Sequence, residues 1–438
     1  MSAPNVWITT LGCSKNQVDS DKISAVLDES GYGEASDPES ADVVMVNTCA
    51  FIEDARRESV DTILDLADAK RGDAKLVVMG CMAQRYEQDL IEALPEADAV
   101  IGLDRYPELI DELDTMTGWQ PVNFTGFRRS HMDILDVVNR PTPATPFAYV
   151  KVAEGCDKTC AFCAIPLIRG KQRSRPPESI VSEIEGLVAG GVQEIVLVAQ
   201  DLAAYGRDNG VGSIEALVGS AASVEGLGRL RLYYLYPREI RQGLIDVMAG
   251  HNTIADYFDL SLQHASERLL RSMRRPGSGT KHLDIIARIR KAAPHAATRS
   301  SFIVGYPGET ESEVDELASF LAEAQLDWAG FFPYSAEDGT DAATMSDQVP
   351  QEAIAERLRH LQAIQDDITT ARNIAMTGRT IDVLVDQVEE GQAVARSYRE
   401  APEIDGMILL DAGEVGHWYK AEITGAYGTD LSGSVVEV

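Results

Sequence analysis

Three cysteines in one short loop, Cys156, Cys160 and Cys163, set the hardest condition on how this chain can fold: their C-x3-C-x2-C spacing obliges the loop to wrap a single object. The stretch reads Glu154-Gly155-Cys156-Asp157-Lys158-Thr159-Cys160-Ala161-Phe162-Cys163, polar and glycine-bearing after an apolar run. Thiolates are the usual ligands of iron–sulfur clusters, and this triplet can hold three irons of a 4Fe–4S cube. No fourth cysteine lies nearby. The remaining iron is therefore open, and an open iron binds and activates a ligand instead of only relaying electrons.

Cys13, Cys49 and Cys81 each stand just past an apolar run. Val6-Trp7-Ile8 leads to Leu11-Gly12-Cys13, Val43-Val44-Met45-Val46 to Asn47-Thr48-Cys49, and Leu76-Val77-Val78-Met79 to Gly80-Cys81. Short runs rich in Val and Ile read as buried strands, and the segments between them have helical length and pattern. In an open α/β sheet, ligands gather beyond the carboxyl ends of the strands. These three strand-end cysteines are expected to converge on a second cluster, again with an open iron.

Disulfides, a structural zinc and buried free thiols are the competing readings of the six cysteines. The start Met1-Ser2-Ala3-Pro4-Asn5 runs straight into a strand and reads as no signal peptide, so a reducing, cytoplasmic compartment is expected. A chain of 438 residues needs no disulfide scaffold for stability. A closed zinc site takes four ligands, often including His, and none of the seven histidines stands at ligand spacing to either triplet. Buried thiols remain open for the N-terminal triplet, because a lone cysteine after a strand is often core packing. No apolar stretch approaches the roughly 20 residues that span a bilayer, so no membrane partner is expected. The net charge of −31 and pI near 4.5 are far from the basic footprint of a nucleic-acid binder; such a balance favours a basic partner.

The pattern divides the chain into an α/β multidomain protein. Residues 5–117 form an open α/β sheet, with helical segments such as 20–30 and 54–69. A proline-dense stretch of weak periodicity, 118–146, reads as a linker. From 147 to 372, strand candidates at 148–153, 194–199, 230–236, 257–262, 298–304 and 328–333 alternate with helical segments. Successive βα units of this number argue a complete or partial parallel barrel with its site at the strand C-termini. A helix over 351–376 closes it. Residues 373–438, with short alternating strands at 381–385, 391–395, 406–410 and 419–423, read as a small β-barrel of the oligonucleotide-binding type.

An open-iron cluster at a barrel mouth fits chelation of S-adenosylmethionine and its one-electron cleavage to a 5′-deoxyadenosyl radical, the cofactor supplying the hard step. Phe162 is then placed to pack near the adenine. Gly305, Gly308 and Glu309, in Val304-Gly305-Tyr306-Pro307-Gly308-Glu309-Thr310, form a strand–turn–helix whose glycines let backbone approach a ligand and whose helix N-terminus is electropositive. Gln200-Asp201 and Ser261-Leu262-Gln263-His264 fall at strand ends and can bind ribose or methionine groups. Two basic runs, Arg169, Lys171, Arg173 and Arg175, then Arg268, Arg271, Arg274 and Arg275, can pair with the cofactor carboxylate or an anionic substrate; as surface charge they need no function at all.

Across its whole length the chain resembles the radical S-adenosylmethionine methylthiotransferase family. The resemblance covers the N-terminal three-cysteine domain, the radical barrel and a TRAM-type C-terminal domain. It implies that Cys13, Cys49 and Cys81 ligate an auxiliary 4Fe–4S cluster carrying the transferred sulfur, and that Cys156, Cys160 and Cys163 ligate the radical cluster. One S-adenosylmethionine would supply the methyl group and a second the radical, with an electron donor such as flavodoxin or ferredoxin and an unidentified sulfur donor. Thr10-Leu11-Gly12-Cys13-Ser14-Lys15-Asn16-Gln17-Val18-Asp19-Ser20 is similar to the branch that modifies an aspartate of the twelfth small-subunit ribosomal protein. The tRNA-adenosine branch usually has Gln-Met-Asn after that cysteine. Residues 155–170, 300–310 and Ala401-Pro402-Glu403-Ile404-Asp405-Gly406 also look like the ribosomal-protein branch. Asp21 stands where that branch usually has Glu.

Charge discriminates independently. Residues 373–438 carry four Arg/Lys and twelve Asp/Glu, a formal charge of −8. An RNA-binding barrel should be basic, because phosphate neutralisation supplies most of the affinity. This one suits docking on a basic ribosomal protein. The expectation is therefore methylthiolation at the β-carbon of that aspartate. The alternatives are tRNA-adenosine methylthiolation and, from another class, an iron–sulfur carrier or electron-transfer protein, which leaves the large barrel unexplained.

Overall fold

The valine-rich runs of the first hundred residues form a five-stranded, all-parallel sheet: β1 (Asn5–Thr10), β2 (Gly33–Glu34), β3 (Val43–Thr48), β4 (Lys75–Gly80) and β5 (Ala99–Ile101), in the order β2-β1-β3-β4-β5. The structure is a computed structural model that describes residues 3–119 and 134–437; residues 120–133 of the expected linker lie outside the described residues. Every residue of β3 is buried, as expected of a parallel strand covered on both faces. Val43 and Met45 face one core with α1 (Ser14–Glu29), while Val44 and Val46 face another with α2 (Glu53–Ala69) and α3 (Cys81–Ala93). A further helix, α4 (Leu109–Thr117), completes the first core. Helix α1 begins earlier than its periodicity predicts, because its polar first turn, including Lys15 and Asn16, is buried at the sheet edge instead of solvated.

The next strands are β6 (Phe147–Lys151) and a short antiparallel pair, β7 (Ala153–Glu154) and β8 (Arg173–Ser174), enclosing α5 (Ile165–Arg169). After α6 (Pro177–Ala189), the barrel continues through β9 (Glu194–Val198), α7 (Ile214–Ala222), β10 (Arg229–Leu232), α8 (Gln242–Gly250), β11 (Tyr257–Gln263), α9 (Glu267–Ser272), α10 (Gly279–Ala292), β12 (Ala297–Val304), α11 (Glu311–Ala324) and β13 (Trp328–Pro333). Parallel ladders join β6, β9 and β10, and again β11, β12 and β13; single bridges at Leu230–Ile254 and Leu235–Leu260 connect the halves. Among the described residues no ladder returns from β13 to β6, so the barrel is partial. Alternation sorts each strand: Ile195 and Leu197 join the outer core beneath the helices, whereas Glu194, Val196 and Val198 point inward. Helix α1 packs beside β6, with Val18 in the same cluster as Phe147 and Tyr149. Arg85 of α3 pairs with Glu337, beyond β13, at 2.7 Å.

Helix α12 (Gln351–Ile374) leads to a closed five-stranded barrel of β14 (Thr380–Glu389), β15 (Gln392–Arg396), β16 (Ile408–Leu410), β17 (Trp418–Tyr427) and β18 (Asp430–Glu437). Between β15 and β16, residues 397–405 leave the small barrel and enter the N-terminal end of the large one. There Arg396 meets Glu194 at 2.9 Å, Tyr149 donates to Glu403 at 2.6 Å, and Tyr257 donates to Asp405 at 2.6 Å. Among the described residues no helix is long and apolar enough to cross a membrane.

Candidate active site

Cys13 caps the start of α1 directly after β1, Cys49 follows β3, and Cys81 opens α3 after β4. The three therefore share the carboxyl edge of adjacent parallel strands. Gly12, at φ +90°, makes their approach possible: a Cβ there would lie 2.8 Å from Cys49 Sγ. Asn16 ties the strand ends together, its Nδ2 donating to Leu11 O at 2.9 Å and Thr48 O at 3.1 Å. Ser59 of α2 accepts from Cys49 N at 3.1 Å and donates to Cys49 O at 2.9 Å, which fixes that loop. Burial pushes the Cys81 thiol up to about 12 against the pull of Arg169. At Cys13 burial acts in the same sense, but the Lys15 and Arg169 charges outweigh it and hold the thiol below its ordinary value.

The second triplet occupies a loop pinched at its neck by the β7–β8 pair, with Cys156 N donating to Gly170 O at 3.1 Å. Gly155 sits in that neck at φ +76°, where a Cβ would meet Lys171 O at 2.2 Å and Gly170 O at 2.7 Å. The loop is backed by Ala161, which donates to Met273 O at 3.0 Å and accepts from Ala342 N at 2.9 Å. Arg275 stacks over Tyr236, 4.2 Å from the ring centroid, and directs Nη1 at Cys160 Sγ, 3.6 Å away. Burial raises Cys156 to about 11 and Cys163 to about 12, and a bound metal displaces the proton of such thiols outright. Among the described residues no three His, Cys, Asp or Glu side chains close to single-ion spacing. A tetrahedral zinc with bonds of about 2.3 Å would need its sulfurs roughly 4 Å apart, whereas cluster thiolates each take their own iron and stand farther apart. Three free thiols in each set are the donor chemistry that an iron–sulfur cluster takes.

A buried ionic network lies between the two sets. Lys151, within β6, pairs with Asp19 of α1 and with Glu154 at 2.6 Å. Arg169 donates to Glu154, to Asp19, to Asn16 Oδ1 and, at 3.2 Å, to Cys81 Sγ. Glu154 is buried, yet the charges of Arg169 and Lys151 outweigh that burial and hold its carboxyl well below the usual range. Asn16, Asp19 and Lys151 were not among the expected site residues. Lys151 carried the one available signal, a cation inside an otherwise apolar strand.

Of the residues expected to bind a cofactor, Gln200 reaches Glu154 Oε1 at 2.6 Å and leaves its own Oε1 buried without a hydrogen bond. Both carboxylate oxygens of neighbouring Asp201 are also buried without a hydrogen bond, Lys158 Nζ standing 3.5 Å away. Such orphaned acceptors at a barrel mouth suit a ligand rich in hydroxyl and ammonium donors. Gln263 ends β11 at φ +69°, and Tyr234, past the end of β10, has φ +62° with Lys15 Nζ 3.5 Å from its ring centroid; strained backbone of this kind clusters at ligand sites. Phe162 packs on an apolar cluster with Tyr306 and Tyr334. Glu309 is turned into its own loop, accepting from Gly305 N at 3.0 Å and pairing with Arg357 of α12 at 2.9 Å. Gly305 and Gly308 abut Ile354 and Asp347. His264 is buried, its Nε2 standing 3.5 Å from Glu309. Of the basic runs, Arg175 pairs inward with Glu183 at 2.6 Å, while Arg268, Arg271 and Arg274 pair at the surface with Glu313, Glu267 and Asp341.

Residues 5–102 match the family described as Uncharacterized protein family UPF0004, residues 150–321 the Radical SAM superfamily, and residues 377–436 the TRAM domain. Solved structures share the fold: the radical S-adenosylmethionine methyltransferase TsrM from Kitasatospora setae superposes with a TM-score of 0.55 at 14% identity, covering 76% of this chain and 75% of that one. The cobalamin-dependent radical enzyme OxsB gives 0.53 at 12% identity, over 83% and 56%. Curated relatives named ribosomal protein uS12 methylthiotransferase RimO are far more similar in sequence. That of Moorella thermoacetica is 42% identical over 96% of this chain and 97% of its own; that of Kineococcus radiotolerans is 40% identical over 98% and 96%. On this near-full-length identity across all three domains, the chain belongs to the RimO family of ribosomal protein uS12 methylthiotransferases.

Proposed function

We propose that this enzyme adds a methylthio group to the β-carbon of an aspartate in ribosomal protein uS12, with Cys13, Cys49 and Cys81 holding an auxiliary 4Fe–4S cluster and Cys156, Cys160 and Cys163 the radical cluster. One observation carries the reading: two three-thiol sets, each at strand ends of its own α/β unit, face one buried network through Arg169, which touches Cys81 Sγ and Glu154. When bound, the clusters and S-adenosylmethionine supply the one-electron chemistry, the methyl group and the sulfur. The chain's residues orient and enclose. Gln200 and Asp201 offer acceptors at the mouth, Arg275 stands against Cys160, and the neck at Gly155 fixes where the loop opens. A flavodoxin- or ferredoxin-like donor in the cytoplasm would provide the electron; the sulfur donor is unidentified.

The C-terminal barrel supports a protein substrate over tRNA. Two of its four cations, Arg396 and Arg399, are buried in the junction with the large barrel. Glu400 and Asp405 of the same segment are buried there too, so the outer surface keeps the excess of acid over base that the segment's formal −8 describes. The test is anaerobic incubation of the reconstituted enzyme with S-adenosylmethionine, reductant, uS12 and bulk tRNA together, followed by digestion and mass spectrometry. A methylthio increment on an aspartyl peptide is expected. An increment on adenosine would overturn the substrate assignment and retain the chemistry.

A further inference from the structure

The side chain of Arg169, the last residue of α5, is 1% exposed and divides its guanidinium between two domains. Nη1 faces Glu154, with Oε1 at 3.0 Å and Oε2 at 2.9 Å, and Asp19 Oδ2 at 3.1 Å. Nη2 faces Asn16 Oδ1 at 2.5 Å and Cys81 Sγ at 3.2 Å. Lys151 shares both carboxylates, so the four charged groups sum to neutrality. The arrangement is nonetheless polar: Nη1 takes both carboxylates, and the N–H edge of Nη2 is turned on the Cys81 sulfur. Through Asn16 the same guanidinium braces Leu11 and Thr48, the chain just before Cys13 and Cys49.

We propose that Arg169 is a positioning residue that sets the reduction potential of the auxiliary cluster by keeping a buried positive charge against the Cys81 thiolate. The proposal rests on the two-cluster reading above. Cluster potentials follow net charge and hydrogen bonds to the sulfurs, and a charge a few ångströms away in a buried site is weakly screened. Removing the cation disfavours the electron-richer, reduced state. Neutralising Asp19 does the opposite, because it leaves the network with an excess positive charge.

The test uses the full-length chain carrying Cys156→Ala, Cys160→Ala and Cys163→Ala, so that only the auxiliary cluster is loaded. Arg169→Gln, Arg169→Lys and Asp19→Asn are compared with this parent by iron content and by EPR-monitored redox titration. The expected result is a lower midpoint potential for Arg169→Gln, a higher one for Asp19→Asn, and Arg169→Lys near the parent. General loosening of the site does not produce shifts of opposite sign. Both variants shifting the same way, or neither shifting, would overturn the proposal. If Arg169→Gln does not retain iron, Asp19→Asn decides: a rise supports the proposal, and no change or a fall sinks it. A parent that takes up no cluster sinks the two-cluster reading, and this proposal with it.

Discussion

A single methyl group is enough to separate the two cysteine sets experimentally. At Gly12 an added Cβ meets Cys49 Cβ at 2.7 Å and Sγ at 2.8 Å, on backbone at φ +90° that L residues rarely adopt. Gly12→Ala is therefore expected to lose the auxiliary cluster, cutting reconstituted iron by about half while the radical-cluster EPR signal persists; iron near the wild-type level would show that the Cys49 thiol can retreat. Gln263 offers a test of stored strain. Its φ of +69° costs an L residue roughly 1 kcal/mol, so Gln263→Gly should raise the denaturation midpoint while increasing KM for S-adenosylmethionine several-fold. A rise in stability with unchanged KM would remove Gln263 from the binding site. The cysteines were legible in the sequence because spacing and strand ends constrain them. The direction of Glu309 was not: its partner Arg357 lies on α12, and no local pattern announces a contact across 48 positions. Lys151 gave only half a signal, a misplaced charge whose partners Asp19 and Glu154 come from two different domains.

At the level of elements, the six barrel strands were legible because short apolar runs alternate with segments of helical length. Their ends were less so. The segment predicted to continue to Tyr236 leaves the ladder after Leu232, where Tyr234 takes a left-handed conformation that the apolar run Leu232-Tyr233-Tyr234-Leu235 conceals. The last strand, β18, escaped because Leu431-Ser432-Gly433-Ser434 lacks β-branched residues and reads as a turn. The β7–β8 neck is the shortest element with the largest consequence, since two paired residues a side define the radical loop. Gly155→Ala brings its Cβ onto the Lys171 carbonyl at 2.2 Å, a backbone atom that cannot swing away. The neck must open. Loss of the radical cluster and of S-adenosylmethionine cleavage is expected, with the auxiliary-cluster signal retained; intact cleavage activity would mean that the loop holds its cysteines without the neck.

On the scale of the whole molecule, the C-terminal barrel is less an appendage than the floor of the catalytic barrel. Glu194, fully buried at the start of β9, gathers Arg231 at 2.7 Å, Arg396 at 2.9 Å and Arg229 at 3.5 Å. Arg396 belongs to the C-terminal domain, so one carboxylate pins the two domains together. Burial opposes its charge, but the three guanidiniums outweigh it and hold its carboxyl down at about 2. Removing one partner from a buried ionic cluster strands the others, at a cost of about 3–5 kcal/mol. Glu194→Gln should therefore lower stability by that order at pH 7, measured by urea unfolding of the apoprotein. The pH dependence has a definite sign. A carboxyl depressed in the folded state contributes fully above its unfolded value, near 4.5, and loses that contribution as pH falls toward 2. The gap between wild type and Glu194→Gln should thus be constant from pH 7 to about 5 and narrow by about 1 kcal/mol at pH 4. A gap that stays constant down to pH 4 would mean that Glu194 acts through shape alone and that packing, not charge, seats the plug formed by residues 397–405.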